Sequence, residues 1–73
     1  MPRDWKPMST VGPGVIEVRV HTTIEYRIIV IAKFEDAVYV LHVFEKRSQK
    51  TLPRDLDLAR RRYHDVLRER RTT

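Results

Sequence analysis

The stretch YRIIVIAKFEDAVYVLHVFEK, residues 26–46, decides the fold of this chain of 73 residues. It contains two runs rich in β-branched and aromatic residues, separated by the acidic pair Glu35 and Asp36. Nearly continuous apolar character of this kind is typical of central strands covered on both faces. We predict strands over residues 26–34 and 37–46. A two-residue hairpin loop joins them, or a longer loop, since Glu-Asp is poor chemistry for the tightest turns.

The predicted register sorts the side chains of the hairpin onto two faces. It places Ile28 opposite Val43 and Arg27 opposite Phe44. One face is apolar enough to be the core face, and its members are Tyr26, Ile28, Val30, Ala32, Phe34, Ala37, Tyr39, Leu41 and Val43. The other face gathers its polar groups at one end, where the neighbours are Arg27, His42, Phe44 and Lys46.

A third strand precedes the hairpin. The sequence VIEVRVH, residues 15–21, alternates apolar and polar residues, which predicts a strand whose wet face carries Glu17, Arg19 and His21. Residues 1–14 contain three prolines and both glycines of the chain, so we predict an irregular lead-in there.

A helix follows the hairpin. Thr51 or a neighbour can cap it, Pro53 suits its first turn, and an apolar stripe at helical spacing predicts a helix over residues 53–70. The fold class is therefore predicted to be α+β: a small twisted antiparallel sheet of about three strands with one C-terminal helix. The core is a single domain over residues 15–73.

The positive charge is concentrated in one part of the chain. The net charge is +5, and residues 45–73 hold the whole excess, with ten Lys and Arg against five Asp and Glu. Concentrated positive charge suits a polyanion such as nucleic acid, although it also aids solubility. The chain has no cysteine, no signal-peptide core and no apolar run that could span a bilayer, so we expect a cytoplasmic protein that does not bind membranes.

The cations around the hairpin are the first candidate site. Arg27, Lys46, Arg47 and Lys50 can hold a phosphodiester and stabilise the charge that develops when it is attacked. The alternative is a solvated strand end whose cations oppose aggregation, which we favour for Lys50 alone. His42 is equally well explained as a proton donor and acceptor, as a residue that stacks on a base, or as a packed side chain.

The helix carries the second group of cations. Arg61 and Arg62, with their neighbours, can form an electrostatic footprint for RNA, but a solvated helix face is the more economical interpretation. The histidines have no ligand-like spacing and no Gly-rich phosphate loop occurs, so we expect neither a metal nor another cofactor.

Three segments together resemble a known family: VGPGVIEVRV, then YRIIVIAKFEDAVYVLHVFEKRSQKT, then DLDLARRRYHDVL. They resemble the phage-derived branch of the HigB/RelE-like toxins, within the RelE/ParE superfamily of type II toxin-antitoxin systems. The resemblance covers roughly residues 5–68, and LHVFEKRSQKT is its most specific part.

The resemblance implies a toxin that cleaves messenger RNA on the ribosome until a cognate antitoxin protein covers it. The positions that match the family pattern are Arg27, Lys46 and Arg47, flanked by His42, Phe44 and Lys50. In such toxins the 2′-hydroxyl of the RNA attacks the adjacent phosphate, and basic side chains stabilise the charge without a metal.

The chain also departs from the family pattern. Family members generally begin with a helical hairpin that packs on the sheet, whereas DWKPM, residues 4–8, stands almost at the start of this chain. A sheet that is apolar on both faces and covered by one helix predicts self-association through the bare face. A missing hairpin also removes surface that contacts RNA, which is consistent with an inactive endoribonuclease. The alternatives are a non-catalytic interaction module that binds an antitoxin, DNA or its own copy, and a ParE-like gyrase inhibitor.

Overall fold

The computed structural model describes residues 4–72. Its elements in chain order are β1 (Trp5–Pro7), β2 (Val15–His21), β3 (Glu25–Ile31), β4 (Tyr39–Glu45) and α1 (Pro53–Thr72). The strands form one antiparallel sheet in the order β1-β2-β3-β4. The predicted α+β class is confirmed, with one addition: β1 lies in the stretch predicted to be irregular and forms an edge strand.

The pairing of β3 with β4 confirms the predicted register at the open end of the hairpin. Arg27 lies opposite Phe44, and Ile28 lies opposite Val43. The two-residue loop is wrong, because the strands end sooner than predicted and residues 32–38 connect them. The acidic pair thus belongs to a longer loop, as its poor fit to a tight turn allowed.

A β-bulge interrupts this pairing in the middle of β4. Ile29 pairs with His42, but the next pair is Val30 with Val40, so Leu41 is an extra residue in β4. The bulge re-aims its side chain, and Leu41 is only 2% exposed. Leu41 and His42 therefore both lie on the side of the sheet that faces the helix.

The helix covers one face of the sheet, which we call the inner face. The core between them consists of Met8, Val11, Val15, Ile29, Ile31, Leu41, Ala59 and Tyr63. Arg27 and Glu17 lie on the inner face as well and are buried among these residues. The predicted wet face of β2 is thus wrong at Glu17, for reasons given below.

No helix packs on the opposite, outer face among residues 4–72, although Val30 there is only 7% exposed. The register places on it Trp5, Pro7, Ile16, Val18, Val20, Tyr26, Ile28, Val30, Val40, Val43 and Glu45. Val40 and Val43 are 62% and 53% exposed, whereas Ile29 and Ile31 on the inner face are fully buried. The predicted core face is therefore wrong, since the helix packs on the face that carries Arg27.

The helix docks through small and aromatic residues. Ala59 and Tyr63 are buried, and the Tyr63 ring packs so closely on Gly12 that a Cβ there would lie 2.5 Å from a ring carbon. At the first turn the Leu52 carbonyl accepts hydrogen bonds from the backbone N–H of Asp55 and Leu56, at 3.0 and 3.1 Å. No helix in the described part of the chain is long and apolar enough to cross a membrane.

Candidate anion-binding site

A cleft of about 140 Å³ lies where β4 ends and α1 begins. The connection between them, residues 46–52, is called here the β4–α1 loop. The lining residues are Arg27, Phe44, Glu45, Arg47, Ser48, Lys50, Leu52, Arg54 and Asp55. Four of these are cations and two are carboxylates, so we name it the cationic cleft.

Arg27 is the buried member of the cleft lining, with 3% of its surface exposed. Its Nη1 donates to the Thr51 hydroxyl at 3.1 Å, and its Nη2 donates to the carbonyls of Ser48 and Gln49 at 3.0 and 2.7 Å. The guanidinium therefore holds the β4–α1 loop in place. Its terminal nitrogens are engaged by protein groups rather than presented to solvent.

Glu17 is the functional neighbour that the sequence did not indicate. It is fully buried, its Oε1 lies 3.8 Å from Arg27 Nε, and its Oε2 accepts a hydrogen bond from the Thr51 hydroxyl at 2.6 Å. The opposite charges and the bridging hydroxyl offset part of the cost of burying groups that normally stay in water, while Glu17 Oε1 and Arg27 Nε have no hydrogen-bond partner among the described residues. We call Glu17, Arg27 and Thr51 the buried network. Thr51 uses its hydroxyl in this network.

Exposed cations lie around the cleft. Arg47 donates to Glu45 Oε2 at 2.9 Å and is 69% exposed, Lys50 is exposed on the loop, and Arg54 is exposed in the first turn of α1. Arg54 was not predicted as a site residue. Its place directly after Pro53, beside the positive end of the helix dipole, was the available signal.

His42 is held by the helix. Its Nε2 lies 2.8 Å from Asp55 Oδ1, and its ring stacks on Phe44 with the centroids 4.7 Å apart and the planes 20° from parallel. His42 is not among the lining residues, whereas Asp55 and Phe44 are. A carboxylate that fixes an imidazole in this way can orient it for proton transfer.

Lys46 is on the same face as Arg27 but serves a different contact. Its backbone N–H donates to the Glu25 carbonyl, and its Nζ lies 3.6 Å from Glu25 Oε2. A hydrogen bond with His21, followed by the charge of Lys46, lowers the pKa of Glu25. The predicted grouping of Arg27 with Lys46 therefore holds for the face, but Lys46 does not line the cleft.

The two helical arginines predicted to bind RNA are placed differently from each other. Arg62 Nη1 donates to the Leu41 carbonyl at 2.7 Å, so it satisfies the backbone at the bulge. Arg61 is exposed on α1. Neither lines the cationic cleft.

At the far end of the helix, Asp36 neutralises the charge of Arg70. Arg70 forms hydrogen bonds with Asp36 and with the Tyr39 hydroxyl, and its guanidinium lies 3.9 Å from the centre of the Phe34 ring. The hydrogen bond from Arg70 is the main reason why the pKa of Asp36 lies below its ordinary value. This contact fastens α1 to the 32–38 loop and makes this end poorly suited to a phosphate.

The fold is that of a small α+β protein with a cationic cleft at the start of its helix. The chain belongs to the family described as phage-derived protein Gp49-like (DUF891), whose model matches residues 1–64. No curated protein and no solved structure matches the chain.

Proposed function

We propose that this protein is the toxin of a type II toxin-antitoxin system and cleaves messenger RNA on the ribosome. The observation that carries the proposal is the cationic cleft, in which Arg47, Lys50 and Arg54 surround a space of about 140 Å³. Guanidinium and ammonium groups match phosphate oxygens, and they stabilise negative charge that develops there. Membership of a phage-derived family and the sequence resemblance to HigB/RelE-like toxins support the same proposal.

The reaction needs no group beyond RNA and protein side chains. The 2′-oxygen forms a bond to phosphorus, its proton passes to a base, and the bond from phosphorus to the 5′-oxygen breaks as that oxygen takes up a proton. The products are a 2′,3′-cyclic phosphate and a free 5′-hydroxyl. Glu45 and Asp55 line the cleft, and Asp55 holds His42, so groups able to move the proton are close to the phosphate position.

The test compares two exposed arginines on the same helix. Arg54→Ala and Arg61→Ala remove the same charge from α1, but only Arg54 lines the cleft. Each variant is induced in a bacterial host, growth is followed, and the 5′ ends of messenger RNA are mapped. We expect growth arrest and new 5′ ends with the parent chain and with Arg61→Ala, and loss of both with Arg54→Ala.

Arg27 is unsuitable as the first test, because its removal disturbs the buried network as well as the cleft. Equal loss of activity in Arg54→Ala and Arg61→Ala would contradict a role for the cleft. Double-strand breaks in DNA with intact messenger RNA would indicate a gyrase inhibitor instead.

A non-catalytic interaction module is the second candidate. The observation in its favour is that the terminal nitrogens of Arg27 and Nε2 of His42 already have protein partners. Such a module would bind RNA or a partner protein through the exposed cations without cutting RNA. Normal growth on induction of the folded protein, with RNA bound but intact in vitro, would favour the module over the enzyme.

A further inference from the structure

The β4–α1 loop carries two of the exposed cations of the cleft, Arg47 and Lys50, and its residues 47–51 belong to neither a strand nor a helix. Arg27 of β3 holds the loop by donating hydrogen bonds to the Ser48 and Gln49 carbonyls. Arg27 is in turn joined to Glu17 through Thr51, which accepts from one and donates to the other. Thr51 is therefore a further link between the loop and the buried charges, beside the direct bonds from Arg27, and it is the one that includes Glu17 of β2.

We propose that Thr51 is a positioning residue that sets the geometry of the cationic cleft through the buried network. This inference rests on the proposed function of the cleft as a phosphate site. Thr51 does not line the cleft, so any effect of its hydroxyl on anion binding passes through the loop. The network ties the loop to the sheet so that Arg47 and Lys50 are arranged before RNA arrives, which lowers the entropic cost of binding.

Isosteric replacement isolates the hydroxyl. Thr51→Val keeps the shape but removes both hydrogen bonds of the hydroxyl, whereas Thr51→Ser keeps the hydroxyl. Thr23→Val is the matched control, because Thr23 is an exposed threonine in the turn between β2 and β3. The measurements are backbone order parameters of residues 47–50 and the salt dependence of binding to a short single-stranded RNA.

In Thr51→Val we expect the backbone order parameters of residues 47–50 to fall from the rigid value of about 0.85 toward about 0.6. The slope of log affinity against log salt should decrease in magnitude by about 1.4. The reason is that the phosphate contacts of Arg47 and Lys50 are both lost, and each contact to a single strand contributes about 0.7. Thr51→Ser and Thr23→Val should match the parent chain in both measurements. A folded Thr51→Val protein with an ordered loop and an unchanged slope would overturn the proposal.

A second variant covers the case in which Thr51→Val does not fold. Arg27→Lys keeps the charge beside Glu17 but lacks the planar fork that reaches Thr51 and the loop carbonyls together. It should show the same loss of loop order, and a rigid loop in Arg27→Lys would overturn the proposal. If the parent chain fails to bind RNA while the variants loosen the loop, the proposed function fails and the positioning role remains.

The outer face carries an independent inference. On the four strands, its described side chains are apolar except Glu45, in a chain whose net charge is +5. Three strand spacings and a seven-residue strand give the face about 14 Å by 23 Å, an area comparable with the largest apolar patches of typical monomers, which are often functional.

We infer that the outer face binds a second copy of this chain, sheet against sheet. Charge does not oppose this occupant. Stacked sheets lie about 10 Å apart with a helix beyond each, so the two cationic helices are about 30 Å apart, well beyond the screening length of about 8 Å. A dimer formed through the helices would bring the arginines together. The pairing leaves both cationic clefts open.

Sedimentation equilibrium tests this inference with two exposed valines. Val43→Lys places a charge on the outer face, and Val38→Lys places the same charge in the 32–38 loop, off the strands. We expect twice the chain mass of 8.8 kDa for the parent and for Val38→Lys, and the single-chain mass for Val43→Lys. A monomeric parent chain, or a Val43→Lys protein that still doubles its mass, would overturn it.

Discussion

The two faces of the sheet reverse the usual relation between polarity and burial. On the inner face Glu17 and Arg27 are buried, with 0% and 3% exposure, whereas on the outer face Val40 and Val43 are more than half exposed. Both faces come from the same alternation of residues along β2, β3 and β4. The difference is that Glu17 and Arg27 on the inner face lie beside an opposite charge and a bridging hydroxyl, whereas Val40 and Val43 on the outer face have no helix over them within residues 4–72.

This contrast shows that a polar residue in a strand does not mark a wet face when its partners are long-range. Thr51, which bridges Glu17 and Arg27, lies in the β4–α1 loop, far along the chain from both residues. A charge inside a sheet is tolerated when an opposite charge and a hydroxyl offset much of its desolvation cost. The helix packs on that face, where Ile29, Ile31 and Leu41 form the core together with Ala59 and Tyr63 of the helix.

Removing one partner of the buried network should have the largest effect on the inner face. Arg27→Met leaves Glu17 charged and buried, which costs about 3–5 kcal/mol of the unfolding free energy. Glu17→Leu combined with Arg27→Met should regain most of that loss, because no charge remains unpaired. Urea denaturation followed by circular dichroism measures both. A double variant as unstable as the sum of the single variants would show that the two charges are not coupled.

The next largest loss of stability should come from crowding between Gly12 and the Tyr63 ring of the helix. Gly12→Ala should cost about 1–3 kcal/mol, because its Cβ would lie 2.5 Å from a carbon of the buried Tyr63 ring. Adding Tyr63→Leu should lessen the penalty of Gly12→Ala by making room. Thermal unfolding of the two backgrounds measures this, and an equal penalty in both would contradict the contact.

The sequence predicted the strands, the helix and part of the register because these depend on local patterns. Alternation, β-branched runs and a proline at the helix start gave element positions within a few residues. The pairing of Arg27 with Phe44 followed from the hairpin alone. Sequence could not predict the bulge at Leu41, because the extra residue leaves the apolar pattern of β4 unchanged.

The sequence could not predict which face the helix covers, nor about half of the site, because both depend on contacts between residues far apart in the chain. Glu17 and Thr51 are 34 residues apart, and nothing in either neighbourhood indicates the other. Arg27, Phe44, Arg47 and Lys50 were placed at the cleft, since they share one end of the hairpin. Arg54 was missed because its role depends on how the loop brings the helix back to the sheet.

The bulge offers a sharper comparison between neighbouring arginines. Arg62→Met should cost about 1 kcal/mol of stability, because the Leu41 carbonyl loses its hydrogen bond at 2.7 Å. Arg61→Met should have almost no effect, since Arg61 is exposed on the helix. Urea midpoints at equal protein concentration distinguish them. Equal midpoints for the two variants would mean that water replaces Arg62 at the bulge.

The smallest effect concerns the exposed rim of the inner face, where His21 lies 2.8 Å from Glu25 and 2.7 Å from Asp4. The hydrogen bond to Glu25, and then the one to Asp4, raise the pKa of His21 despite partial desolvation. A raised pKa means that protonated His21 stabilises the fold below its unfolded pKa of about 6.5, and that this contribution disappears as pH rises through the folded value.

The parent chain should therefore lose slightly more stability than His21→Gln when pH is raised from about 5.5 to about 8, across the ordinary histidine range. Both proteins retain every other side chain, so the difference between them reports the effect of His21 alone. High salt should reduce it, since the groups are exposed and screened, whereas the buried network should respond little to salt. Identical pH profiles in low salt would show that the rim contacts add nothing to stability, in contrast to the buried pair.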